Sequence, residues 1–121
     1  MFTRSHLHSL LVAEEARFRE MHPRSFELFQ RARHSLLGGL PMNWMVRWAG
    51  AFPLFVAEGS GAHFTDVDGH TYLDLCLGDT GAMSGHAPAP AVEAASAQLR
   101  RGATFMLPTV DALWVGEELG R

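Results

Sequence analysis

The sequence contains no lysine, because all ten of its basic residues are arginines. A reaction that passes through a Schiff base needs a lysine amine to form that bond. This chain therefore cannot form such a Schiff base with its own side chains.

Only one cysteine, Cys76, occurs among the 121 residues, and long apolar runs are absent. One cysteine cannot form an internal disulfide, which is typical of a cytoplasmic protein, and such a residue is usually a small buried one. The apolar runs are too short to span a membrane, and the early acidic residues argue against a signal or transit peptide. We expect a cytoplasmic protein with no membrane partner.

The sequence also has little net charge and no metal-binding motif. A formal net charge of −3 does not indicate a nucleic-acid partner. None of the seven histidines has the spacing of a zinc motif, and Cys76 alone adds little to them. Asp66-Val67-Asp68-Gly69 resembles the start of a calcium loop, but Leu75 stands where such a loop needs Glu. We therefore predict no metal site.

What the sequence does contain is a globular composition, with 47% hydrophobic and 19% charged residues. Leucines at helical spacing predict a first helix before Pro23, and Ser25 is placed to cap a second that runs to about Leu37. Gly38-Gly39 ends that helix. The following LPMNWMVRWAGAFP segment lacks periodicity, and we predict an irregular crossing segment.

Three strands are predicted next, at 52–57, 62–67 and 71–77. Asp68-Gly69 is a two-residue hairpin signal, because both positions of that turn favour positive φ. Alternating leucines give the third strand one apolar face. A glycine-rich loop follows, then a helix over about 90–101 with an apolar stripe (Val92, Ala95, Leu99) and a last helix capped by Thr109. The sequence thus predicts an α+β fold with helices and a small three-stranded antiparallel β-meander.

The segment around Arg47 carries the clearest candidate for binding. Its large apolar neighbours (Trp44, Met45, Val46, Trp48) suit an arginine that grips a carboxylate through two parallel hydrogen bonds in a sheltered site. An arginine stacked on tryptophan at the surface explains the pattern equally well. By contrast, Ser84 and His86 are most simply read as part of a polar loop, since proximity in sequence does not make a catalytic triad.

Four segments in order resemble class III pyridoxal-phosphate (PLP) aminotransferases of the glutamate-1-semialdehyde aminomutase type. They are FELFQRARHSLLGGL, PLFVAEGSGAHFTDVDGHTYLDL, GDTGAMSGHAPAPAVEA and RRGATFMLPT, and together they cover roughly residues 25–119. The core of the second is the string from Gly61 to Asp74, and it is the order and spacing of all four segments that make the resemblance specific.

The resemblance implies the N-terminal segment of a fold-type I enzyme that uses PLP, works as a homodimer and transfers an amino group on a small amino or keto acid. It implies a helical extension at 1–23, the N-terminal part of the small domain at 24–103, and the start of the large PLP-binding domain at 104–121.

The resemblance also assigns substrate-binding positions. Arg47 stands where relatives pair an arginine with the substrate carboxylate, and Trp44 would line the same pocket. Asp79 and Thr80 lie in the loop that approaches the substrate. Many relatives have tryptophan where this chain has Asp79, and an acid there repels a second carboxylate, or else simply caps the loop.

In relatives the lysine that anchors PLP lies far downstream, in the large domain. The expectation is therefore a chain that is not catalytically competent alone, binds no PLP covalently, needs the missing large domain as its partner, and leaves apolar surface exposed around Leu113 and Trp114. The alternative is a non-catalytic interaction module that dimerises or packs against another chain.

Overall fold

The computed structural model describes residues 3–47 and 50–121. Over these ranges it has the following elements: helices α1 (Arg4–Met21), α2 (Pro23–Ala32), α3 (Ala89–Leu99) and α4 (Val110–Leu119), short 3-10 helices at Leu37–Gly39 and Asn43–Arg47, and strands β1 (Val56–Ser60), β2 (His63–Asp66) and β3 (Thr71–Leu73). The strands form one antiparallel sheet in the order β1-β2-β3. The predicted α+β class and the three-stranded meander are confirmed.

The first strand begins four residues later than predicted, because Phe52 belongs to the core instead. Its side chain is only 5% exposed, and its ring centroid lies 4.8 Å from that of Phe18 and 5.2 Å from that of Phe26. Aromatic pairs at these distances add to the free energy of burial. This aromatic cluster fixes the two N-terminal helices against the segment that enters the sheet.

The third strand ends four residues early, at Leu73, because Asp74 turns the chain. Its Oδ1 accepts the backbone N–H groups of Cys76 and Leu77, both at 2.9 Å, which is an Asx-type turn. The predicted apolar face is present but points outward, with Leu73 57% and Leu75 85% exposed. Cys76 is exposed as well, so its predicted burial is wrong for this chain.

The hairpin turn lies where it was predicted but has another conformation. Gly69 has φ +92° and Asp68 does not have positive φ, so the two-residue turn with both positions left-handed is wrong. The N–H of Asp66 donates to His70 O at 2.9 Å, and the four residues 67–70 separate β2 from β3. In this conformation the side chain of Asp68 makes a contact outside the turn.

That contact is a long-range helix cap. Ser25 does not cap α2: the helix begins at Pro23 and ends at Ala32, five residues before the predicted end, and the Ser25 hydroxyl accepts the Phe55 N–H at 3.3 Å. Asp68 accepts the N–H groups of Arg24 and Ser25 at 2.7 and 2.9 Å. A carboxylate there also complements the positive end of the helix dipole.

Replacing Asp68 with alanine is therefore expected to destabilise the start of α2 by about 1–2 kcal/mol, the usual effect of a lost cap. Amide hydrogen exchange at Arg24 and Ser25 measures this locally. Asp68→Asn keeps one side-chain oxygen and should lose less protection. Equal protection in wild type and Asp68→Ala would show that the cap contributes nothing.

Residues 1–86 and 87–121 form separate compact units. In the second unit α3 and α4 have no buried residue, so the stripe predicted to be buried on α3 is exposed: Val92 is 47% and Leu99 67% exposed. Thr109 occupies the cap position of α4, but its hydroxyl makes no capping hydrogen bond. The apolar exposure predicted at Leu113 and Trp114, 65% and 62%, is confirmed.

Over residues 3–47 and 50–121, none of the helices has both the length and the apolar character of a membrane span.

Candidate functional site

Arg47 and Trp44 lie together on the short helix Asn43–Arg47. Residues three apart eclipse one another in a 3-10 helix, so the two side chains leave the same side of it. Both are exposed in this chain, and Trp44 Nε1 donates to Met42 Sδ at 3.1 Å. The residues of the short helix therefore do not by themselves provide the sheltered environment that was predicted for Arg47. Trp48, the other predicted neighbour, lies outside the described residues.

Asp79 and Thr80 lie in a left-handed stretch of backbone. Leu77, Gly78, Asp79 and Thr80 have φ values of 56°, 56°, 54° and 74° in succession. Each non-glycine residue in this region costs roughly 1–2 kcal/mol. Such a stretch persists only where surrounding contacts hold it, and strain of this kind is commonly found at binding sites.

Asp74 and His86 provide those contacts, at the two ends of the loop. Asp74 Oδ1 holds the N–H groups of Cys76 and Leu77, and its Oδ2 accepts a hydrogen bond from His86 Nε2 at 2.6 Å. The backbone of His86 pairs with Gly61 through N–H to O bonds of 2.7 and 3.0 Å. A side chain on Gly59 would place its Cβ 2.9 Å from His86 Cγ, which explains the glycine.

The Asp74–His86 pair was missed as a functional feature from sequence. Its members are twelve residues apart and only the fold brings them together. The available signal was their position in the family strings, where Asp74 ends one motif and His86 follows a glycine in the next. We name residues 77–85, held between these two side chains, the clamped loop.

The clamped loop is expected to loosen in acid. The hydrogen bond from His86, with those from the backbone, lowers the pKa of Asp74 below its usual 3.8. A lowered carboxyl pKa contributes stability that is fully present above about pH 4 and is lost as the pH falls through the folded-state pKa. Exchange of the Cys76 and Leu77 amides, corrected for its intrinsic pH dependence, should therefore accelerate below about pH 4. Asp74→Asn should abolish this acceleration of exchange. The same acceleration in that variant would show that Asp74 is not the group that titrates.

A second polar cluster, which sequence reasoning did not identify, lies buried under the hairpin. Asp66 is 1% exposed. Its Oδ1 accepts the N–H groups of Asp68 and His70, each at 2.9 Å, and its Oδ2 accepts the Tyr72 hydroxyl at 3.1 Å. His22 Nε2 lies 2.7 Å from the Tyr72 hydroxyl. The fold thus joins the α1–α2 junction to the hairpin through polar side chains.

The hydrogen bonds determine the ionisation of this cluster. Burial by itself would raise the pKa of Asp66, but the hydrogen bonds from His70, Tyr72 and Asp68 outweigh burial, and the pKa is lowered. Burial, together with the bond to Asp66, raises the pKa of Tyr72 to about 12. At neutral pH the cluster therefore holds a buried carboxylate and a neutral phenol.

An apolar cavity of about 570 Å³ lies beside the short helix that carries Arg47. Met45, Val46 and Phe52 are among its lining residues, all of which are apolar. It therefore offers no positive charge for a phosphate, and the chain has no lysine. The residues of this chain alone therefore do not form a site for PLP.

The predicted substrate-binding residues are not in contact with one another. Within the described ranges, no hydrogen bond or ion pair joins Arg47 to Asp79 or Thr80.

Curated proteins and solved structures relate the chain to the same enzymes. No family model matches the chain. It is 44% identical over 82 residues to glutamate-1-semialdehyde 2,1-aminomutase 1 of Cenarchaeum symbiosum, covering 68% of this chain and 19% of that protein.

Solved structures give the same relationship. A glutamate-1-semialdehyde aminomutase from Pseudomonas aeruginosa superposes with a TM-score of 0.88 and 49% identity, covering 94% of this chain and 25% of that one; a variant of it was solved in complex with PMP. An omega-transaminase from Sphaerobacter thermophilus gives a TM-score of 0.64 and 35% identity over 71% of this chain and 19% of that one.

The chain spans about a fifth to a quarter of the length of these relatives. Its sequence agrees with the curated relative, and its fold and sequence agree with the solved structures. The chain therefore corresponds to the N-terminal part of the glutamate-1-semialdehyde aminomutase-like class III aminotransferases.

Proposed function

We propose that this chain forms the N-terminal part of a PLP-dependent aminomutase or aminotransferase that acts on a small amino or keto acid. The observation that carries the proposal is the superposition on the Pseudomonas aeruginosa aminomutase over 94% of this chain at 49% identity. Identity and coverage of this size support a shared role for this chain and the matching part of that relative. The activity itself belongs to the whole protein, of which this chain supplies one side of a pocket.

PLP is the cofactor of the proposed whole protein. It supplies an electron sink for the carbon that loses a proton during amino transfer. Because this chain has no lysine, the covalent anchor must come from a part of the protein outside it. The role of this chain is to bind and orient the substrate beside the cofactor.

Arg47 is the proposed partner of the substrate carboxylate. Its guanidinium group offers a fork of N–H donors that matches a carboxylate, and among the described residues it is engaged in no ion pair. Trp44, on the same side of the short helix, supplies a wall for the carbon chain of the substrate. The shelter that strengthens an ion pair of this kind comes from the rest of the protein.

Asp79 and Thr80 are proposed to line the opposite side of the substrate. The clamped loop holds them in left-handed backbone, so their side chains are positioned before the substrate arrives. An acid at Asp79 favours a substrate with an amine or a hydroxyl there over one with a second carboxylate. This would distinguish the protein from relatives that carry tryptophan in the loop.

The proposed organisation places a helical extension at 1–23, the N-terminal part of the small domain at 24–103 and the start of the large PLP-binding domain at 104–121. The outward apolar residues support it, since Leu75, Leu107 and Leu119 are 79–85% exposed and such surface normally lies against protein. We further propose a cytoplasmic homodimer. The interaction-module alternative is not favoured, because the relatives named above are enzymes.

The test is an assay of the protein of full natural length, loaded with PLP, against glutamate 1-semialdehyde and a panel of small amino and keto acids. Isomerisation without an added amino acceptor indicates an aminomutase, and turnover only with an amino donor and acceptor pair indicates a transaminase. A protein that binds PLP yet converts none of them would contradict the proposal.

A further inference from the structure

Three side chains of ligand type converge under the hairpin turn. His22 Nε2 lies 3.6 Å and His70 Nδ1 lies 3.4 Å from Asp66 Oδ2, and the three ligand atoms all lie within 4.8 Å of one another. In a tetrahedral zinc site with bonds of about 2.0–2.1 Å, neighbouring ligand atoms are about 3.4 Å apart. The separations of 3.4 and 3.6 Å are within about 0.2 Å of that length.

The ligand atoms are also oriented by their other contacts. His22 Nδ1 donates to Phe18 O at 2.7 Å, which directs the Nε2 side of the ring at the cluster. Ligating histidines in proteins are commonly fixed by such a bond to a backbone carbonyl. Asp66 is held in the same way, since two backbone N–H groups bind its Oδ1 and leave Oδ2 facing the imidazoles.

One polar atom of the cluster lacks a partner: His70 Nδ1 is buried and forms no hydrogen bond within the described residues. It lies 3.4 Å from Asp66 Oδ2, on a carboxylate with 0% side-chain exposure. In residues 3–47 and 50–121 the ionisable groups that reach this carboxylate are the two imidazoles of His22 and His70, and no arginine does. A cation bound between these groups would give His70 Nδ1 a partner and place a fixed positive charge beside the buried carboxylate.

We propose that His22, Asp66 and His70 bind one divalent transition-metal ion of the zinc class, which ties the α1–α2 junction to the β2–β3 hairpin. Two imidazoles and a carboxylate are a ligand set that such ions prefer. The spacing rules applied to the sequence could not find it, because His22 is distant from Asp66 along the chain. His70 is half-exposed and offers the route by which an ion enters.

The experiment titrates Zn²⁺, and Co²⁺ as its spectroscopic substitute, into chelator-treated protein of full natural length. We expect one ion per chain, Co²⁺ absorption bands typical of tetrahedral coordination, and a Zn²⁺-dependent rise in melting temperature. His70→Ala should weaken Zn²⁺ binding at least about tenfold. This variant is decisive because His70 is half-exposed and its loss leaves the core packed.

The matched control is His34→Ala, which removes an exposed histidine outside the cluster and should bind Zn²⁺ like wild type. His22→Ala tests the buried ligand, with circular dichroism to verify its fold. The proposal is overturned if folded wild type takes up no Zn²⁺, or if His70→Ala and His34→Ala bind it equally. Either result would mean that hydrogen bonds alone hold the cluster together, and neither would affect the proposed activity.

Discussion

Replacing Asp66 with alanine is expected to lower the free energy of unfolding by about 3–5 kcal/mol, as measured by urea denaturation in chelator-containing buffer. The carboxylate accepts hydrogen bonds from the backbone of Asp68 and His70 and from Tyr72. Alanine leaves all three donors without a partner in a site that water does not reach, and each such donor costs about 1–3 kcal/mol. The sum approaches the whole stability of a small domain.

Asp66→Asn separates the loss of hydrogen bonds from the loss of charge. Its amide oxygen can accept both backbone N–H groups, and its amide NH₂ can donate to the Tyr72 oxygen. The Tyr72 hydroxyl then donates to His22 Nε2, which completes the network without a charge. We expect this variant to lose about 1 kcal/mol. The exposed Asp111 supplies the control, since Asp111→Ala should change stability by less than about 0.5 kcal/mol.

Similar losses in Asp66→Ala and Asp66→Asn would mean that the charge, rather than the number of hydrogen bonds, stabilises the hairpin. That outcome would agree with a cation in the cluster only if added Zn²⁺ stabilised wild type and not Asp66→Asn. An Asp66→Ala variant as stable as Asp111→Ala would show that the network is not formed in solution.

Local signals predicted the class of fold and most of the elements. The meander followed from alternation and from Asp68-Gly69, and the helices followed from periodicity and from Pro23. These signals failed where a distant residue determines a boundary. Asp68 caps α2 from across the chain, so the local candidate Ser25 was wrong, and Asp74 ends β3 although Leu75 continues the alternation.

Burial was predicted less well than secondary structure, for a physical reason. The pattern of apolar residues identifies a face that packs against other protein surface, but it does not identify that surface. Val92 and Leu99 on α3, and Leu73 and Leu75 after the hairpin, are exposed in this chain. Each lies on a face that the sequence marked as apolar, which is the pattern expected where the covering surface belongs to another part of the protein.

The two sets of site residues differ in how they were found. Arg47 and Trp44 were visible as an arginine within an apolar segment, and the structure places them on one short helix. Asp66, Tyr72 and His22 were not visible as a cluster, because individually they belong to a turn, a strand and a helix end. Only three-dimensional proximity reveals that their polar atoms share one buried site.

Replacing Arg47 with alanine is expected to reduce kcat/KM of the PLP-loaded, full-length protein about 100-fold. Two parallel charge-assisted hydrogen bonds to a carboxylate, once sheltered by the rest of the protein, contribute about 3 kcal/mol, and each 1.4 kcal/mol corresponds to about tenfold in rate. Because the carboxylate does not react, the same bonds form in the ground state, and the loss should fall mainly on KM.

Arg47→Lys keeps the charge without the fork of donors, and we expect a loss of about tenfold. Arg17→Ala is the matched control, because Arg17 is an exposed arginine on α1, and it should leave both kinetic constants unchanged. Binding of PLP should be equal in all three variants, since the anchoring lysine lies outside this chain. If Arg47→Ala instead matches Arg17→Ala, the carboxylate is held by another group, and Arg47 is the surface arginine stacked beside tryptophan that its sequence neighbours equally suggested.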